Sequence, residues 1–206
     1  MDKINIELKN GQKIFFTSDC HFGHRNVIRF CSRPFEDEKD MARKMIEYWN
    51  STVGPDDIVI SLGDFSWWTD RHGVKRTVDQ LNGIKFFICG NHCTKRMYEL
   101  IEDNFTLCDD TTVFYIRGGG LDKTYEIVCN HYPLLTWSHS DKPNCLQFFG
   151  HIHSLKDQPM FEFGEPLKLM PKKQYDVGVD RHDYRPVELR EIFRLMEEYP
   201  YWGLHK

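Results

Sequence analysis

Short hydrophobic runs alternate with segments of helical periodicity along the chain. Runs rich in β-branched and aromatic residues predict strands at 13–18, 57–62, 84–89, 111–117, 124–129, 146–149 and 175–179. Apolar residues at helical spacing predict helices at 37–50, 74–81 and 186–199, and Pro186 suits the first turn of the last one. Three consecutive glycines at 118–120 indicate a hairpin turn. This alternation is typical of an α/β or layered α+β domain.

Length and composition narrow the class of protein. The 206 residues favour a single domain over 1–206, since no repeat or linker-like segment divides them. Hydrophobic residues at 40% and charged residues at 28% exclude disorder as the main description. The net charge of −4 does not indicate nucleic-acid binding, and no apolar run approaches the ~20 residues of a membrane span. Seven scattered cysteines without a Cys-x-x-Cys pair fit a cytoplasmic protein, and the oligomeric state stays open.

Metal-binding side chains follow five of the predicted strands, where open α/β sheets bind their ligands. The five segments, in chain order, are Asp19-Cys20-His21, Gly63-Asp64, Gly90-Asn91-His92, Asn130-His131 and Gly150-His151-Ile152-His153. Each segment alone has an ordinary explanation, since Asp64 and Asn91 are common turn residues and a lone histidine after a strand is usually structural. Five such coincidences in one chain disfavour chance.

The residue types in these segments suit divalent cations. Asp19 and His21, two positions apart in an extended stretch, point the same way and offer an oxygen and a nitrogen to one ion. The two carboxylate oxygens of Asp64 allow it to bridge two ions. An Asn side chain offers a neutral oxygen, and imidazoles are the commonest metal ligands. This mixed nitrogen and oxygen set without thiolate suits manganese, iron, zinc or nickel.

The ordered motifs Asp-x-His, Gly-Asp, Gly-Asn-His, a lone His and Gly-His-x-His resemble those of the calcineurin-like metallophosphoesterases, over about 15–153. The stretches 19–26, 175–180 and 184–187 look like a small bacterial and phage branch of that superfamily. The resemblance implies a four-layer α/β/β/α sandwich, with two sheets face to face and helices outside. It also implies a dinuclear metal site at one edge of the sheets.

The resemblance assigns a role to each motif residue. It implies two divalent transition-metal ions, with manganese as the first expectation and iron, zinc or nickel as alternatives. Asp64 would bridge both ions and take part in catalysis. His92 would stabilise the transition state or protonate the leaving group. The remaining candidate ligands are Asp19, His21 and His153 for the first ion, and Asn91, His131 and His151 for the second.

The function expected from this resemblance is hydrolysis of a phosphodiester, small or nucleotide-like, by a hydroxide that two metal ions activate. The alternatives are a phosphomonoesterase or nuclease of the same fold, and a non-catalytic scaffold that binds proteins. A phosphoprotein phosphatase is disfavoured, because Phe65 and Ser66 follow Asp64 where that class continues with Asp-Arg-Gly. The expected partner is a small phosphate ester, with no membrane.

Several neighbouring residues extend the candidate site. His24 and Arg25 lie close enough to His21 in sequence to reach a substrate phosphate, although a plain surface role is equally compatible. Trp67 could stack on a nucleobase, with core packing as the alternative. Cys93 stands where many relatives carry an acidic residue after Gly-Asn-His, so the sequence leaves open what orients His92.

Overall fold

The computed structural model describes residues 1–68, 71–156 and 172–198, together with the backbone of two short strands between the last two ranges. These two strands, β9 (Phe161–Glu162) and β10 (Glu165–Pro166), pair antiparallel with each other. Tyr199, the expected end of the last helix, lies outside the described residues. Within the described ranges, no helix is both long and apolar enough to cross a membrane.

One five-stranded sheet is built mainly from the second half of the chain. Its order is β1-β6-β7-β8-β11, in which β6 and β7 are antiparallel and the other neighbours are parallel. The predicted strand at 175–179 is shorter than expected, because residues 179–181 form a 3₁₀ helix. The strands are β1 (Asp2–Leu8), β6 (Thr111–Gly118), β7 (Tyr125–Asn130), β8 (Cys145–Phe149) and β11 (Gln174–Asp176).

The second sheet carries the first three sequence motifs. Its order is β12-β2-β3-β4-β5, and only β12 runs antiparallel to its neighbour. The strands are β2 (Ile14–Thr17), β3 (Ile58–Ser61), β4 (Ile84–Phe87), β5 (Phe105–Leu107) and β12 (Val187–Glu188). The expectation that Pro186 opens a helix is wrong, because Val187 and Glu188 first pair with β2.

Five α-helices accompany the sheets within the ranges that the structure describes. Helix α2 begins after Asp37, whose carboxylate accepts hydrogen bonds from the backbone N–H groups of Lys39 and Asp40 at 2.9 and 2.8 Å. The helix predicted at 74–81 spans Arg71–Val78 in the structure and so lies earlier in the chain than expected. The helices are α1 (Arg25–Phe30), α2 (Glu38–Thr52), α3 (Arg71–Val78), α4 (Lys95–Ile101) and α5 (Leu189–Glu198).

Strands β2 and β3 of the second sheet are buried on both faces, which explains why they read as continuous apolar runs. Phe16 and Ile60 face the first sheet, and the Phe16 ring meets Phe148 edge-on at 4.8 Å. Phe15 points the opposite way, into a core shared with helix α2. The two sheets therefore pack face to face with helices flanking them, and the predicted layered α/β sandwich is confirmed.

Loops from both sheets meet at one edge of this sandwich. The backbone N–H of Asp19, after β2, donates to Gly63 O after β3 at 3.1 Å. The N–H of Val179, after β11, donates to Ser18 O at 3.0 Å, which ties the two sheets together. These bonds bring the loops that carry the motifs next to one another.

Candidate metal centre

Three of the candidate ligands form a buried cluster with one oxygen of Asp64. Asp19 Oδ1 lies 4.0 Å from His21 Nε2 and 3.8 Å from His153 Nε2. His21 Nε2 in turn lies 3.8 Å from Asp64 Oδ2. We call Asp19, His21 and His153 the buried subsite, because the side chains of Asp19 and His21 are 0% and 3% exposed.

The other three candidate ligands form a second cluster, which meets the same Asp64 oxygen through His131. His131 Nε2 lies 3.4 Å from Asp64 Oδ2 and 2.8 Å from Asn91 Oδ1. His151 Nδ1 lies 3.0 Å from Asn91 Oδ1. We call Asn91, His131 and His151 the open subsite, because Asn91 is exposed and His151 is partly exposed. Six side chains from four other loops thus lie around the carboxylate of Asp64.

The buried subsite contains polar atoms that lack hydrogen bonds. Within the described part of the chain, Asp19 Oδ1 and both ring nitrogens of His21 are buried without a hydrogen-bond partner. Such orphaned groups cost free energy unless something satisfies them. Burial lowers the pKa of His21 well below its ordinary value, so its imidazole is neutral and has a lone pair to donate. A divalent cation fits this donor set.

Hydrogen bonds at the rear of two imidazoles fix which nitrogen faces the centre. His131 Nδ1 donates to the carbonyl of Leu62 at 2.7 Å, so Nε2 faces Asp64. Burial alone would lower the pKa of His131, but the carboxylates of Asp64 and Asp19 raise it. His153 Nδ1 is bonded to Asp180 at 2.8 Å, and this bond, with the charge of Asp19, outweighs burial and raises the pKa of His153 to about 11.

The shared carboxylate is held ionised. Burial would raise the pKa of Asp64, but His131 and the backbone N–H of His92 lower it to about 2. That N–H donates to Asp64 Oδ1 at 2.9 Å. The carboxylate therefore keeps its negative charge at neutral pH, as a bridging metal ligand requires.

The backbone at the centre is strained. Five of the seven candidate ligands have a positive φ, which costs a non-glycine residue roughly 1 kcal/mol or more and persists only where the surrounding structure imposes it. Strain of this kind clusters at functional sites. The φ angles are 58° at Asp19, 51° at His21, 49° at Asp64, 71° at His151 and 46° at His153.

Two motif glycines are required by close approach. A Cβ on Gly90 would overlap the carboxylate of Asp64, and a Cβ on Gly150 would overlap the side chains of Ser18 and Asp19. The glycines before Asn91 and His151 therefore allow two loops to come within contact of the carboxylates.

His92 lies at the mouth of the centre, 43% exposed, with Nε2 3.9 Å from Asp64 Oδ2. Its ring packs edge-on against Trp67, with centroids 4.8 Å apart, and against His21 at 5.8 Å. Cys93 Sγ accepts a hydrogen bond from the N–H of Gly90 at 3.0 Å, so this residue closes the turn. Ring packing and the backbone bond to Asp64 therefore orient His92 in place of an acidic residue.

The two candidate substrate-binding residues differ in their surroundings. The ring of His24 stacks on Trp67 at 4.1 Å and 11°, beside His21. Burial, with the nearby charge of His92, lowers the pKa of His24. The side chain of Arg25 is 78% exposed, and its Nε lies 4.0 Å from Oε2 of Glu38. Trp67 is 40% exposed at the rim, whereas the neighbouring Trp68 packs against the helix-side core.

Tyr132, which follows His131 in the sequence, lies edge-on to His151 at 4.6 Å. Sequence reasoning missed two further residues at this centre, Asp180 and Arg33. Asp180 contacts His153, and Arg33 contacts Asp180. No short motif links Arg33 to Asp180, which are 147 positions apart.

Comparison with known proteins shows the family to which the chain belongs. A family model for the calcineurin-like phosphoesterases matches residues 12–179. The match spans most of the chain, so the chain belongs to the calcineurin-like phosphoesterase family. It is therefore a metal-dependent hydrolase of phosphoester bonds in general terms, and the resemblance predicted from the motifs is confirmed.

Similar proteins come from an archaeon, a phage and a bacterium. An uncharacterized protein of Methanocaldococcus jannaschii is 29% identical over 192 residues, which covers 91% of this chain and 93% of the relative. The gene 66 protein of Mycobacterium phage L5 is 33% identical over 76 residues, or 31% of this chain and 36% of that protein. The crystal structure of an Aquifex aeolicus protein of unknown function shares the fold, with a TM-score of 0.65, 24% identity, and coverage of 90% of this chain and 100% of the other.

Proposed function

We propose that the chain is a dinuclear metallophosphodiesterase whose substrate is small or nucleotide-like. The observation that carries the proposal is the convergence of the buried and open subsites on a single oxygen of Asp64. One carboxylate oxygen at the meeting point of two ligand sets is the arrangement expected for a bridging ligand between two ions. Manganese is the ion we expect first, on the chemistry of the mixed nitrogen and oxygen donors.

The proposed chemistry divides between the ions and the protein. A bound pair of divalent cations would lower the pKa of a water molecule and neutralise the negative charge of the phosphoryl oxygens. Asp64 contacts a ligand of each subsite, and the carbonyl of Leu62 orients His131. His92 lies on the exposed side and would donate a proton to the departing oxygen or stabilise the charge on phosphorus.

The burial of Arg33 and the aromatic rim of the centre favour a diester over a monoester. A terminal phosphate carries an additional negative charge that arginine commonly recognises. The guanidinium behind the centre, Arg33, is buried, and its donors point to Asp180 and to backbone carbonyls, away from any substrate. The rim instead presents the aromatic rings of Trp67 and Tyr132, 40% and 43% exposed, which suit the second organic arm of a diester.

The test is hydrolysis of bis(p-nitrophenyl) phosphate against p-nitrophenyl phosphate by the manganese-reconstituted chain. We expect the higher kcat/KM on the diester, followed by a screen of cyclic and linear nucleotide diesters. A higher kcat/KM on the monoester would replace the proposal with a phosphomonoesterase. A chain that binds two ions and hydrolyses neither compound nor any nucleotide would support the non-catalytic scaffold.

A further inference from the structure

A buried ion pair lies directly behind the buried subsite. The side chains of Arg33 and Asp180 are both 0% exposed. Arg33 Nε donates to Asp180 Oδ1 and Arg33 Nη2 donates to Oδ2, each at 2.8 Å, which is a bidentate pair. Burying such a pair costs desolvation, and apolar residues of similar volume often serve stability equally well. Stability alone therefore does not account for the Arg33–Asp180 pair, and its contacts with neighbouring groups indicate its role.

The carboxylate of Asp180 also contacts a candidate ligand. His153 Nδ1 donates to Asp180 Oδ2 at 2.8 Å. Because a carboxylate only accepts, Nδ1 carries a proton and donates it in this bond. The other ring nitrogen, Nε2, is then the one that faces Asp19, 3.8 Å from its Oδ1.

Arg33 extends the same network to the first motif. Its Nη2 donates to the carbonyl of Asp19 at 2.7 Å, and its Nη1 donates to the carbonyl of Cys20 at 3.0 Å. One guanidinium thus ties the backbone of the loop after β2 to the carboxylate that holds His153. Arg33 therefore holds both the backbone of Asp19 and, through Asp180, the ring of His153.

We propose that Asp180, fixed by Arg33, is a positioning residue that orients His153 toward the cation of the buried subsite. The inference rests on the proposed function, since it assumes an ion at that subsite. Both oxygens of Asp180 are taken up by Arg33 and His153, so Asp180 acts through His153 and does not touch the ion. Loss of such an outer partner typically weakens metal affinity by about 10–100-fold.

The first test is manganese binding to the full chain, by isothermal titration calorimetry and electron paramagnetic resonance, in wild type and Asp180→Asn. We expect the tighter of the two sites to weaken by about 10–100-fold, while the second changes little. Saturating manganese should restore most of kcat, which a general folding defect would not allow. Asp183→Asn is the matched control, because Asp183 is exposed and pairs only with Lys156 among the described residues.

A second measurement covers the case in which Asp180→Asn fails to fold. In ¹⁵N-histidine spectra of the zinc-loaded wild type, we expect His153 to be protonated at Nδ1 and bound to zinc through Nε2. Zinc on Nδ1, or wild-type affinity at both sites in Asp180→Asn, would overturn the inference alone. A wild-type chain that binds no metal would overturn the proposed function, and with it the inference.

Discussion

The two halves of the candidate metal centre differ in how firmly the fold holds them. In the buried subsite, Asp19 and His21 are almost fully enclosed, and His153 is backed by a charged hydrogen bond to Asp180. In the open subsite, Asn91 is exposed, His151 is partly exposed, and only His131 is as deeply buried. The buried half is thus preorganised, whereas the open half faces solvent.

This difference predicts that the two subsites bind their ions with different affinities. A preorganised, enclosed donor set loses little freedom when it binds an ion, so its ion should bind tightly. The open half should bind its ion more weakly and present it to the substrate. The shared carboxylate of Asp64 is the one group whose loss affects both halves.

The largest expected effect is that of Asp64→Asn. The change removes the negative charge common to both subsites, so we expect loss of measurable turnover together with lower manganese occupancy of both. Steady-state assays and elemental analysis of the same preparation check this. Asp122→Asn, at an exposed carboxylate, is the control. Normal activity in Asp64→Asn would remove the bridging role.

Removing one ligand from each half should separate them. We expect His151→Ala to retain one tightly bound ion after gel filtration, because the buried subsite stays intact. His153→Ala should lose the tightly bound ion. Elemental analysis of both variants gives the stoichiometry directly. Equal losses in the two variants would show that the halves do not differ in affinity.

His92→Ala should act on the rate and leave the metal content unchanged. His92 belongs to neither subsite, and general acid catalysis typically contributes about 100 to 10,000-fold. We therefore expect kcat to fall within that range while two manganese ions remain bound. His72→Ala, at an exposed position of α3, is the matched control. Full activity at saturating substrate would show that His92 has no part in catalysis.

Metal removal should destabilise the chain by a smaller amount. The ligands come from loops of both sheets, so an ion bound only by the folded state stabilises their association. Each site contributes about 2.7 kcal/mol when the ion is present at 100 times its Kd. We expect thermal unfolding to show a lower Tm after chelation, and a smaller shift in Asp64→Asn. A Tm indifferent to chelation in wild type would contradict binding across the two sheets.

The smallest expected effect is at the rim. Trp67→Ala should raise KM for an aryl or nucleotide diester by roughly 10-fold, since stacking of a base on an aromatic ring is worth ~1–3 kcal/mol. The metal content should not change, because Trp67 contacts His24 and His92 rather than an expected ion. An unchanged KM on both substrates would mean that Trp67 only supports the two histidines.

The central strands and the motif residues could be predicted from sequence because their signals are local. Runs such as Ile58–Ser61 are apolar on both faces, and each ends at a polar motif. Strand β1 (Asp2–Leu8) was missed although its apolar residues alternate, and helix α4 was missed although Thr94 caps it. Both elements could have been predicted from these local patterns. The two-residue strand β12 could not, because it forms only by pairing with β2.

The support behind the ligands could not be predicted in the same way. Arg33, after α1, and Asp180, after β11, gain their role only when these segments meet the loops after β2 and β8, and nothing in their immediate sequence marks the pair. The left-handed backbone at Asp19 and His153 also depends on tertiary bonds rather than on residue type. Local pattern therefore indicated the candidate donors, and the folded structure was needed to show which residues hold them in place.

The most direct measurement of the central claim is anomalous diffraction from crystals grown with manganese. We expect two peaks on either side of the Asp64 carboxylate, one contacted by Asp19, His21 and His153, and the other by Asn91, His131 and His151. A single peak, empty density beside Asp64, or imidazole rings turned toward solvent would contradict a dinuclear centre at this position.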